Sequence, residues 1–267
     1  QALQLSMGKT GTATVSGVFT HFDDEYETRC TDSGPDSGRD AVFTLDLDGG
    51  PYDVTVDTEG SSADTILGVS AGSCGRKSFE ENAACHDNID TGKNEQSRIW
   101  LHRLSHTRLY ILVDSRKGET GSFKLNVKVE DARDDTCQEP FDISEGGLLV
   151  GTLPFGNGSV DDGSCAPGPS IDVRPEAVVA TFEGPPSGTS KATLVAYSNY
   201  FVPTLHVHSA SCDGDEIGCE AGNKAGNYGV AQLNLTLQGK AKYIAVVDGP
   251  PFSVNLSSGG FALLLDP

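Results

Sequence analysis

The sequence predicts an all-β chain built as two tandem antiparallel sandwiches, residues 1–131 and 132–267, and three observations predict it. Apolar and polar residues alternate with a period of two in one stretch after another, as half-buried strands require. With 32 Gly and 13 Pro in 267 residues, turns are frequent and no long stretch keeps a helical period. Finally, the stretch 65–74, TILGVSAGSC, returns as 204–212, TLHVHSASC. Each ends in small residues and a cysteine, Cys74 matching Cys212, and each is followed by another cysteine, Cys85 and Cys219. One sandwich-sized unit written twice explains the echo.

In chain order, residues 13–19 alternate as a first strand, after a polar start. An acidic loop follows, with Asp23, Asp24, Glu25, Asp32, Asp36 and Asp40. Residues 41–47 read as a strand, Gly49-Gly50-Pro51 as its turn and 52–57 as the return strand. The organising strand comes next, then the loop from Cys74 to Cys85 and strands over 97–102, 108–114 and 121–129. The charged stretch 130–136 suits a short linker. Beyond it, 148–153 stands for the first strand, 176–182 for 40–45, 243–248 for 109–114, and 260–265 for the closing strand. The spacing between matched segments drifts slightly along the chain, as loop insertions around a fixed strand order produce.

Charge narrows the partners. The net charge is −19, with 22 acids against 13 bases up to Asp131 and 16 against 6 beyond it. Both halves therefore repel phosphate backbones and anionic lipid, which excludes nucleic acid as an expected partner. No apolar run approaches the roughly 18 residues of a membrane helix. No basic start followed by an apolar block is present, so any signal peptide is expected to have been removed already.

The seven cysteines, at 30, 74, 85, 137, 165, 212 and 219, show no C-x-x-C spacing and no adjacent histidine cluster. Disulfides in an oxidising compartment are therefore expected. The local pairs Cys74–Cys85, Cys137–Cys165 and Cys212–Cys219 would each stabilise by roughly 2–4 kcal/mol. Cys30 is left over. It matches Cys165 in the repeat, but the place matching Cys137 is Leu3. Its partner has been lost, lies upstream, or belongs to another chain.

The succession D-A-V, then D-T-x-L-x-V ending in S-x-S-C-type turns, a second cysteine, Y-x-x-V-D and a final G-x-F strand resembles the bacterial pre-peptidase C-terminal domain family. Residues 64–69 (DTILGV) and 85–87 (CHD) carry the likeness in the first half, and 204–207, Cys212, Cys219 and 246–249 (VVDG) carry it in the second. The resemblance implies jelly-roll-like sandwiches from secreted or cell-surface bacterial proteins, without catalysis, some of whose relatives bind calcium, collagen or polysaccharide. Within these 267 residues no stretch is expected to form the peptidase domain that such modules usually accompany.

Three constellations bear on chemistry. Residues 68–72, GVSAG, match the G-x-S-x-G hydrolase elbow, but they run into Ser73-Cys74-Gly75 rather than an apolar helix, so Ser70 is expected to be a strand end. His206 and His208 stand two apart on a strand and point to one face. With no third ligand placed by the sequence, they are expected to be exposed strand residues. Asp23, Asp24, Glu25 and Asp32 share an irregular loop able to offer oxygens to calcium, with Asp161 and Asp162 as second-half counterparts. The competing expectation is a solvated acidic loop.

No nucleophile or acid–base pair stands in a suitable spacing and context, so no catalytic residue and no required cofactor are expected beyond that calcium. The leading expectation is a secreted, non-catalytic adhesion or structural module. It would act on an extracellular polymer or protein surface. The alternative is a subunit that assembles with copies of itself into a filament or tube by lending a strand to a neighbour's sheet edge. A hydrolase or metal-dependent enzyme is the reading from a different class.

Overall fold

The computed structural model describes residues 3–4, 10–26, 28, 30, 37–75, 84–90, 92–116, 119–134, 136–152, 163–165, 177–226, 228–249 and 260–266. The chain divides into two compact units, Gln1–Ala132 and Arg133–Pro267. Both are built from strands, and among the described residues no helix is long and apolar enough to cross a membrane.

In the first unit the strands are β1 (Leu3–Gln4), β2 (Gly11–Val18), β3 (Ser37–Leu47), β4 (Tyr52–Asp57), β5 (Thr65–Ala71), β6 (Ala84–Asp87), β7 (Arg98–Leu104), β8 (Thr107–Arg116) and β9 (Ser122–Asp131). One sheet runs β1-β3-β8-β5-β6 and the facing strands run β7-β4-β9-β2. All pairs are antiparallel except β1 with β3, which is parallel. Alternation puts Phe43, Leu45, Leu67, Val69, Ile111 and Val113 inside from one sheet and Val54, Val56, Ile99, Leu125 and Val127 from the other. Phe123 lies at the centre of an aromatic group, with ring centroids 5.1 Å from Phe19, 5.7 Å from Phe22 and 6.0 Å from Phe43. Gly17 stands beneath that ring, where an added Cβ would come within 2.6 Å of Phe123, so the strand admits no side chain there.

In the second unit the strands are β10 (Phe141–Asp142), β11 (Gly147–Thr152), β12 (Val178–Glu183), β13 (Thr189–Ser198), β14 (Thr204–Ser209), β15 (Glu216–Ala221), β16 (Asn223–Ala225), β17 (Tyr228–Gln238), β18 (Lys242–Asp248) and β19 (Gly260–Asp266). One sheet runs β10-β12-β18-β14-β15 and the other β16-β17-β13-β19-β11. Here too the short first strand is parallel to its neighbour. Apart from β16, each strand has a counterpart in the same place in the first unit's order. Val178, Ala180, Leu205, Val207, Ala245 and Val247 are buried and stand in register across β12, β18 and β14, so they share the core face. Val179, Val246 and Ile244 occupy the opposite face, where Cys137, Ala177 and Cys212 pack on them.

The disulfides correct the sequence-based pairing. Cys30 pairs with Cys85, Cys137 with Cys212 and Cys165 with Cys219, at Cα separations of 5.3, 5.9 and 5.6 Å. Cys74 is the free, exposed thiol. Register explains why the local pairs fail. Cys85 is level with Gly68 in the middle of β5, whereas Cys74 lies beyond the strand's end at Ala71. Three strand residues alone span about 10 Å, past the roughly 7 Å that a disulfide bridges. Cys219 is likewise level with His206, and Cys212 lies beyond the end of β14 at Ser209. Each mid-strand cysteine is met instead by one from a distant loop. Peptide mapping without reduction should recover these three pairs and one alkylated thiol at Cys74.

Replacing Phe123 by Ala should lower the first unit's stability by about 3–5 kcal/mol, read as a drop in the denaturant midpoint.

Candidate functional site

The acidic loop is organised by a carboxylate that the calcium proposal did not include. Asp40, at the start of the apolar run of β3, accepts hydrogen bonds from the backbone N–H groups of Glu25 at 2.7 Å and Tyr26 at 2.9 Å. Its own N–H donates to the Asp23 carbonyl at 3.1 Å. Asp23, Asp24 and Glu25 themselves are exposed; Asp32, Asp161 and Asp162 lie outside the described residues. Opposite Asp40 in register stands Asp114 on β8, fully buried, whose Oδ1 accepts the Gly38 N–H at 3.1 Å. Its Oδ2 has no hydrogen-bond partner among the described residues. Burial pushes the Asp114 carboxyl up to about 8, with the charges of Asp40 and Asp24 adding to it against the amide hydrogen bonds. Burial likewise lifts Asp40 to about 6, despite the amides of Tyr26 and Glu25.

Ser70 of the G-x-S-x-G match is a buried residue inside β5, and the strand passes into an exposed turn at Ala71–Gly72. No helix follows it among the described residues, so this segment does not form the strand-to-helix elbow.

The histidines differ from expectation more sharply. His206 is completely buried and His208 half-buried, because the outer face of β14 is covered rather than open to water. The 163–165 segment lies over it. An added Cβ on Gly163 would come within 2.6 Å of Cys219 Sγ and 2.8 Å of His206 Cβ, and the Cys165–Cys219 disulfide holds this approach. His206 and His208 emerge on one face, and Glu216 at the start of β15 is the cross-strand partner of His208, just past a register shift between Val207 and His208. The ligand atoms of all three residues lie within 4.8 Å of one another. His206 Nδ1 is 2.9 Å from His208 Nε2, and the two rings meet edge to face with centroids 5.1 Å apart. His206 Nε2 is 2.9 Å from Asp248 Oδ2, and His208 Nδ1 is 3.0 Å from the Gly214 carbonyl. Glu216 accepts the Ser164 N–H at 2.8 Å and the Ser164 hydroxyl on its other oxygen. Burial raises the Glu216 pKa, but the hydrogen bonds from Ser164 and the nearby imidazoles outweigh it and hold the carboxyl below its ordinary value.

Asp248 occupies in the second unit the place of Asp114 in the first: each stands opposite a residue of the organising strand, Thr204 and Ile66 respectively. His206 and His208 thereby match Gly68 and Ser70. Only the second unit carries the imidazoles. The sequence made the His-x-His pair visible but not Glu216, which is brought alongside by the pairing of β15 and its bulge.

No protein-family profile and no curated protein matches the chain. Among solved structures, similarity is found to the pre-peptidase C-terminal domain of a collagenase from Bacillus anthracis, at 16% identity and a TM-score of 0.32, over 47% of this chain and 93% of that one. The g-type lysozyme inhibitor PliG of Aeromonas hydrophila is similar at 18% identity and a TM-score of 0.33, over 48% of this chain and 96% of that one. The tandem CBM22 pair of Paenibacillus barcinonensis Xyn10C is similar at 9% identity and a TM-score of 0.24, over 84% and 82% of the two chains. Three disulfides fit an extracellular or periplasmic protein.

The first unit also holds a buried imidazole whose pKa moves in the opposite direction to that of Asp114. His86 Nδ1 accepts the Arg98 N–H at 3.2 Å, and burial, with the Arg98 charge second, pushes its pKa down to about 4. A depressed histidine contributes stability above its unfolded value near 6.5, lost as pH falls toward 4. A raised carboxyl contributes stability below its unfolded value near 4, lost as pH rises toward 8. The two oppose each other between pH 4 and about 6.5, and above that only Asp114 still titrates toward its folded value. The first unit's melting point should therefore fall between about pH 6.5 and 8.5, and Asp114→Asn, which keeps an acceptor for Gly38, should flatten that decline.

Proposed function

We propose that the chain is a secreted, non-catalytic tandem of jelly-roll-like sandwiches, of the pre-peptidase C-terminal kind that its sequence resembles, serving as an extracellular or cell-surface adhesion or structural module in a bacterium. The observation that carries this reading is the matched pair of clasps. Cys30–Cys85 and Cys165–Cys219 tie corresponding loops to corresponding edge strands, β6 and β15, in the two units. Covalent bonds at equivalent places in two sandwiches suit a module that must hold its shape outside the cell. A surface of net charge −19 favours solubility and cationic partners. The partner in this reading is an extracellular polymer or protein surface. Purified chain should be retained on at least one of collagen, chitin and cellulose beads; passage through all three sinks the adhesion half of the reading.

Assembly with copies of itself is the second reading, and the exposed free thiol of Cys74 favours it over an assembly through Cys30. Under this reading negative-stain microscopy shows fibres, and a non-reducing gel shows oligomers that Cys74→Ser abolishes. Calcium at Asp23, Asp24 and Glu25, with Asp32, is the accompanying proposal for the acidic loop. The exposed carboxylates offer the hard oxygen ligands that calcium takes. Melting in calcium and in chelator tests it, and an unchanged midpoint ends it.

A further inference from the structure

We propose that His206, His208 and Glu216 form a binding site for one transition-metal dication of the zinc class. The hydrogen bonds around the two rings carry the inference. Asp248 and the Gly214 carbonyl can only accept, so they fix the proton of His206 on Nε2 and that of His208 on Nδ1. With both rings neutral, His206 Nδ1 and His208 Nε2 then turn lone pairs toward each other at 2.9 Å. Two facing acceptors repel unless something positive lies between them. Two species fit there: one additional proton, giving an imidazolium, or a metal ion that takes both lone pairs.

The surroundings suit the metal. A ligating histidine characteristically donates its other N–H to a carboxylate or backbone carbonyl, which fixes the ring and raises its basicity. Both second partners are in place here, one of each kind. Glu216 supplies a carboxylate on the same face. It has more lone-pair directions than Ser164 uses, so one oxygen can coordinate while the other keeps its hydrogen bond. Two tetrahedral nitrogen ligands at about 2.0–2.1 Å from zinc stand about 3.3 Å apart, so the rings need to part by only a few tenths of an ångström. Imidazole nitrogens with a carboxylate select zinc, copper or nickel over calcium and magnesium. Three protein ligands leave a tetrahedral ion's fourth position for water or a donor from a partner.

The cover favours the ion as well. The disulfide-held 163–165 segment lies over His206 and binds Glu216 through Ser164, so the ligands are oriented before any ion arrives. Among the described residues the first unit, with Gly68 and Ser70 in the matching places, has no such donor set and serves as an internal control.

The test is calorimetric titration of the full, chelator-treated chain with zinc chloride near neutral pH, repeated with cobalt(II) to read coordination from its visible absorption. The expected result is one equivalent bound per chain, with a tetrahedral cobalt spectrum. Binding should weaken by roughly tenfold or more in His208→Gln and Glu216→Gln, and by about 10–100-fold in Asp248→Asn. Cys74→Ser, which removes the free thiol, should bind like the parent. Far-ultraviolet circular dichroism of each variant separates lost ligands from lost fold. If Asp248→Asn unfolds, the surface variant Glu216→Gln still decides. Absence of stoichiometric binding overturns the proposal and leaves the shared proton as what the rings hold. Zinc binding of parental strength in both His208→Gln and Glu216→Gln also overturns it, placing the ion elsewhere.

Discussion

A pleated strand sends successive side chains to opposite faces, and residues paired across antiparallel strands share a face. Nearly everything distinctive in this protein follows from that constraint. On β14 it sends Leu205 and Val207 inward and His206 and His208 outward, with Val246 and Ile244 of β18 standing beside the two rings. On β8 it places Asp114 beside Asp40, so two carboxyls share one buried row. The core and the polar clusters are two faces of the same sheets, set by one parity.

The outer faces of these two sheets are in part covered by loops. In the second unit Cys137 and Cys212 pack against Val179, Val246 and Ile244, and the 163–165 segment covers His206. In the first, the acidic loop folds its backbone onto Asp40. A sandwich whose outer face is roofed by loops carries buried polar groups on both sides of the sheet. That is why the raised carboxyls of Asp40 and Asp114 and the paired imidazoles lie away from the hydrophobic centre, whereas His86, level with Leu67, shares the core face.

Much of the architecture was legible. Strands β3, β4, β5, β8 and β9 follow their alternating residues closely, and the echo of TILGVSAGSC in TLHVHSASC located both organising strands. The pair β13 and β17 was not found, although both are long. Alanines at 192, 196 and 231 occupy buried positions there, so hydrophobic contrast along those strands is weak. The short edge strands β6, β15 and β16 are polar and exist by pairing, which no local period reports. For the cysteines, proximity in sequence misleads and the repeat is the better guide. Cys30 stands to Cys165 almost as Cys85 stands to Cys219, and requiring equivalent cysteines to pair alike gives both clasps. Cys74 corresponds to Cys212, whose partner Cys137 has no counterpart among the residues before Cys30.

The Cys165–Cys219 bond joins positions far apart in the chain, and the segment it fastens is the roof over His206. That roof comes from a remote part of the unit, and it is fastened covalently only when the thiols have been oxidised, the Ser164–Glu216 hydrogen bonds holding it otherwise. A reduced chain would carry the same strands with its imidazole under a looser cap. The tightness of that roof therefore depends on the redox chemistry of the surroundings as well as on the core beneath it.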